Sequence, residues 1–158
     1  MSLGIEATTV TRRPASVVEL RLTSHPVIAY LSDARALVAD SQLPEDVRRR
    51  VVPGFCRSAL EAVFTDKVRA RRLAAGAEHA AVEDQLASTN TLTELAAMAL
   101  FDDKARGSDV MNRLNQFGGW AGDTFKQVNK GAHDAYPGAL FKLVNDAEKL
   151  CKQVAAHK

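Results

Sequence analysis

From residue 24 onward, apolar side chains return every three or four positions, the period of a helix that buries one face. Val27, Ile28, Leu31, Ala34, Leu37 and Val38 make the first stripe. Ser24 is its expected N-cap, His25 and Pro26 open its first turn, and it runs out near Asp40. Pro44 starts a second helix, with Glu45 and Asp46 placing negative charge in the first turn. Pro53 and Gly54 interrupt it, since proline has no N–H to give to a helical ladder. A third helix follows over residues 54–74, with Phe55, Cys56, Ala59, Leu60, Val63, Phe64 and Val68 inward and Gly76 closing it.

A short helix is expected over residues 78–86. Thr91 then caps the next one, with Glu94 three residues on as a capping box. Leu92, Leu95, Ala96, Met98, Ala99, Leu100 and Phe101 are apolar nearly all round, as in a central core helix. After a polar loop over residues 102–107, Ser108 caps a long pattern that runs through Val110, Leu114, Phe117, Ala121, Phe125 and Val128. Gly118 and Gly119 lie inside it, where the helix bends or another backbone comes close. The pattern fails at Gly131. The last helix carries Leu140, Leu143, Val144, Ala147, Leu150, Cys151 and Val154 in a seven-residue repeat.

Residues 7–22 differ. Thr8, Thr9 and Val10, then Val17, Val18, Leu20 and Leu22, flank Arg12-Arg13-Pro14, which reads as two short strands and a turn. A lone hairpin is marginal in water, so it packs on the helices or is the edge of a sheet that lies upstream. The first three residues look vector-derived. The expected organisation is a β-hairpin in residues 1–23 and a helical bundle domain in residues 24–158. The fold class is mostly α, with five to seven helices.

Composition narrows the chemistry. The chain has 158 residues, 46% of them hydrophobic, enough for a core without disulfides. Its two cysteines, Cys56 and Cys151, fall on apolar helix faces and read as buried thiols of a cytoplasmic protein. No apolar run is long enough for a membrane span. Cys and His do not show zinc spacing, and the P-loop, G-x-S-x-G and H-E-x-x-H patterns are absent, so no metal or cofactor is expected. Two loop aspartates, Asp102 and Asp103, are weak evidence for a metal. A net charge of +2 is too mild to imply nucleic-acid binding, so any basic footprint has to be local. Arg48, Arg49, Arg50, Lys67, Arg69, Arg71 and Arg72 are the candidate set, read either as phosphate contacts or as solvated helix faces.

The chemistry-bearing stretch is residues 126–133. Lys126, Asn129 and His133 are spaced by three and four, which puts them on one face of a helix. An imidazole there can take or give a proton at an RNA 2′-hydroxyl, the cation can stabilise charge on the phosphorane, and the amide can position the phosphate. Arg57, paired four residues on with Glu61, is the expected contribution from a second helix. The plainer alternative is a helix end, because Asn129, Gly131 and His133 all suit termination.

Two resemblances add to this. Residues 8–14 through 17–21 resemble the last strands of an ABC-type ATPase head of the RecF/RecN/SMC-like class, which lead into a C-terminal helical extension. Residues 53–61, Leu100-Phe101-Asp102-Asp103 and Lys130-Gly131-Ala132-His133 resemble such extensions in bacterial P-loop ATPases linked to phage defence or DNA repair. The helical part also resembles HEPN domains, helical bundles that are often dimeric and often metal-independent ribonucleases. Their motif joins an Arg, a polar residue and a later His. Here His133 matches the His and Asn129 the polar residue. Val128 stands at the Arg position, and Lys126 is a Lys-for-Arg version at the longer spacing. The resemblance implies a module fused to an upstream ATPase domain, capable of homodimerisation or nucleic-acid contact and non-catalytic by itself. Its alternatives are a ribonuclease with His133 as acid/base and a free-standing helical regulator.

Overall fold

A computed structural model describes residues 25–157 of the chain. The expected hairpin, the Ser24 cap and residues 1–3 lie outside the described residues. Within them the architecture is helical, with no strand. The elements are α1 (Pro26–Ala39), α2 (Glu45–Ala74), α3 (His79–Ala87), α4 (Leu92–Phe101), a 3₁₀ segment (Lys104–Asp109), α5 (Val110–Asn115), α6 (Gly119–Gly131) and α7 (Leu140–Ala156).

α2 is the axis of the bundle, and α1, α4, α6 and α7 all pack against it. Leu60, Phe64, Leu92, Leu114, Leu143 and Leu150 are fully buried around it. Phe64 meets Phe125 of α6 edge-on, ring centroids 6.3 Å apart. α4 is apolar all round for the expected reason: every residue from Leu95 to Leu100 is buried. Cys56 and Cys151 are free, buried thiols, and burial pushes both up to about 12.

Three element boundaries differ from expectation. Pro53 does not end a helix. It sits inside the 30-residue α2, buried, with Cys56 and Leu60 continuing the inward stripe behind it. Packing on both sides of the proline outweighs the lost ladder bond, and the carbonyl it leaves free finds a partner elsewhere. The long pattern from Ser108 to Val128 breaks into α5 and α6. Gly118 takes φ +137°, and a Cβ there would lie 2.6 Å from Trp120 Nε1. The loop expected after Phe101 is mostly the 3₁₀ segment, which takes in Ser108, and Asp103 caps it by accepting from Ala105 N–H at 2.9 Å.

Other local signals hold. Thr91 Oγ1 accepts from Glu94 N–H at 3.1 Å, while the Glu94 carboxylate reaches back to Asn90 N–H at 2.8 Å. At α1 the cap differs from expectation: His25, expected inside the first turn, is the N-cap, its Nδ1 accepting from Val27 N–H at 3.3 Å. No helix among the described residues is long and apolar enough to cross a membrane.

Candidate cationic cleft

The register of α6 decides which side chains are available. Ala121, Phe125 and Val128 face the core, and Val128 is fully buried. Lys126, Asn129 and Lys130 therefore fall on the other side at i, i+3 and i+4. The Arg position of the HEPN pattern is thus a core valine in this chain.

These outward residues border a cleft of about 710 Å³ between α2, the start of α4 and the end of α6. Arg57 of α2 lines it together with Lys126, Asn129, Lys130 and His133. Arg57 donates from Nη1 to Asn129 Oδ1 at 2.7 Å, and its Nε lies 3.6 Å from Glu61. The guanidinium is mostly buried, the Glu61 carboxylate half exposed. Arg57 is thereby held in one orientation, and Asn129 is its partner.

The sequence stretch expected to carry chemistry does converge with Arg57, though not as one helical face. α6 ends at Gly131 and Ala132 is its C-cap. His133 lies in the turn beyond, its N–H donating to Lys130 O at 3.0 Å, and its side chain is exposed. Two glycine and proline positions set that turn. A Cβ on Gly131 would stand 3.0 Å from Pro53 Cβ, so α6 stops where it meets α2. Five residues on, Tyr136 N–H bonds to Arg49 O at 2.9 Å. His133 is presented from a loop tied to α2 on either side.

Two contributors escaped the sequence reading. Lys130 lies in the stretch four residues after Lys126, a spacing that puts both on one side of the helix and that was readable in the sequence. The start of α4 was legible as a capped helix end. That it borders α6 is tertiary: Asn90, Thr91, Leu92 and Thr93 all line the cleft. The partial positive charge of that terminus is offset by Glu94 in its first turn, whose carboxylate accepts from Asn90 N–H. The floor is apolar, formed by Val110, Met111 and Phe125.

The electrostatics follow. Four basic side chains, Arg57, Lys126, Lys130 and His133, line the cleft, and no carboxylate does among the described residues. Lys126, Lys130 and His133 make no ion pair among the described residues.

The basic set on α2 is placed differently. Arg49 pairs with Glu45 at 2.6 Å and Arg50 with Asp46 at 3.6 Å. Arg69 forks onto Glu83 at 2.7 and 2.8 Å, and Arg72 meets Asp102 at 2.8 Å. Arg48 donates to Val38 O at 3.0 Å, and Lys67 to His157 O. Most of this charge ties helices together. Among the described residues no group of three or more His, Cys, Asp or Glu side chains is placed to hold a metal. Asp102 and Asp103 are occupied by Arg72 and by the 3₁₀ cap.

No protein-family model, curated protein or solved structure matches the chain.

Proposed function

We propose that this chain is a non-catalytic helical module that contacts nucleic-acid phosphates through the cleft between α2, α4 and α6. The observation that carries this reading is the convergence of Arg57, Lys126, Lys130 and His133 on one cleft whose lining has no carboxylate among the described residues. Cations without protein partners release bound counterions when they meet a phosphate chain, which favours binding at low salt without reading sequence. Arg57, anchored by Asn129, supplies an oriented donor, while the two lysines act as movable point charges. In the setting suggested by the resemblance, the module is the C-terminal extension of a P-loop ATPase in nucleic-acid-directed defence or repair. There the ATPase supplies the chemistry and this cleft supplies a contact.

The test is fluorescence anisotropy with labelled RNA and DNA across a salt series. Binding weakens as salt rises, and Lys126→Ala or Lys130→Ala each flattens the logarithmic slope by about 1. Absence of binding at low salt, or loss on altering Arg50 but not Lys126, overturns the reading.

One observation favours a second reading: His133 shares the cleft with Arg57, Lys126 and Asn129, the group a metal-independent ribonuclease needs. Two others weigh against it. Arg57 is engaged by Asn129 and Glu61, and the position of the motif's arginine is the buried Val128. Metal-free RNA cleavage that disappears in His133→Ala would replace the binding reading with the catalytic one.

A further inference from the structure

α1, the second half of α2 and the end of α7 enclose a groove of about 710 Å³ that shares no residue with the cationic cleft. Val27, Ile28, Leu31, Val63, Ala70 and Ala155 make its apolar lining, and Asp66, Lys67, Arg71, Glu148 and Lys152 bring charges of both signs to it. Ile28 is 48% exposed there. We propose that this groove is the docking site for residues 17–22 of the same chain.

Position is the first argument. His25 lines the groove, and its Nε2 lies 3.0 Å from Asp66 of α2. The polypeptide therefore enters the helical body at the edge of the groove. Leu22 precedes His25 by three residues, a reach of at most about 10 Å along the backbone. A segment tethered that closely meets the groove at high effective concentration.

Chemistry is the second argument. Val18, Leu20 and Leu22 alternate with Glu19 and Arg21. Period-two alternation separates an apolar edge from a charged one, and six residues in that register span about 17–20 Å. The apolar edge matches the lining. Lys67, Arg71 and Lys152 suit Glu19, and Asp66 and Glu148 suit Arg21. The segment is then the joint that fixes whatever precedes it against α1, α2 and α7.

The test uses the full 158-residue chain. Leu20→Cys is combined with Ala70→Cys or with Ala155→Cys, exposed positions on two other walls of the groove. Both pairs are built in a Cys151→Ala background, because Cys151 also lines the groove, while Cys56 is fully buried. Mild oxidation gives a faster-migrating monomer in at least one pair, and none in the control Leu20→Cys with Ala80→Cys on α3. Amides of residues 17–22 exchange slowly in the parent chain and faster in Ile28→Arg. A cross-linked dimer, an uncross-linked monomer in both pairs, or exchange at the free-chain rate in the parent overturns the proposal.

Discussion

The backbone N–H of Tyr136 donates to the carbonyl oxygen of Arg49 at 2.9 Å. In an uninterrupted helix that oxygen would accept from residue 53, which here is a proline without an N–H. The α6–α7 loop thus supplies the bond that the proline removes from α2. The Arg49 guanidinium strengthens the joint by donating to Tyr136 O at 3.0 Å and to Gly138 O. Arg49→Ala is expected to destabilise the chain by about 1–3 kcal/mol, the range for stranding partly buried acceptors. Chemical denaturation measures it. Amide exchange should show residues 133–138 loosening before the core does.

Gly118 is the hinge between α5 and α6. Its φ of +137° and the nearby Trp120 ring leave no room for a side chain. Gly118→Ala should cost about 1–3 kcal/mol through backbone strain, read as a lowered denaturation midpoint with unchanged helix content. A neutral result would mean that the α5–α6 break tolerates another geometry.

Arg57 and Lys126 line the same cleft but differ in what they support. Arg57 is mostly buried and bonded to Asn129, while Lys126 is exposed. Arg57→Ala should lower both nucleic-acid affinity and stability, the latter by about 1–3 kcal/mol as a charged hydrogen bond is lost. Lys126→Ala should lower affinity with stability within about 0.5 kcal/mol of the parent. Paired anisotropy and denaturation measurements on both variants check the split.

His157 closes the end of α7 beside Phe117, with ring centroids 5.8 Å apart, and its Nε2 lies 3.2 Å from Arg113 Nη1. Burial, then the charges of Lys67, Arg113 and Arg71, hold its pKa below the ordinary histidine value. The folded chain therefore binds fewer protons here than the unfolded chain as pH falls below about 6.5. Its contribution to stability is complete above that pH, declines as pH drops toward the folded pKa, and levels off below it. His157→Gln should flatten this part of the Tm-versus-pH curve between pH 8 and 5. An unchanged curve would assign the pH dependence to other groups.

Phe64 is fully buried where α2 meets α6. Phe64→Ala should cost about 3–5 kcal/mol, observed as a drop in denaturation midpoint. It should also raise the reactivity of Cys56 toward a thiol reagent, because protection of that thiol depends on the same core.

The helical class, the apolar faces and several ends of the elements were legible because they rest on local rules. Thr91 with Glu94 marks a helix start wherever it sits, and the stripe from Leu140 to Val154 buries one face of any helix that carries it. Pro53 was misread for the same reason: locally a proline ends a helix, and its burial inside α2 and the distant Tyr136 N–H together offset the loss. The pairing of Arg57 with Glu61 was readable from their spacing, but its closer partner, Asn129, lies 72 residues away on another helix.

By itself, then, the sequence determined an amphipathic helical chain with two buried thiols and a cationic stretch near residue 130, since periodicity, capping and burial preference act over a few residues. Tertiary structure decided that α2 would run through its proline. It brought the Lys126–Lys130 side of α6 against Arg57 of α2 and the start of α4. Those outcomes depend on which faces of separate helices pack together, and packing is settled by contacts between residues far apart in the chain.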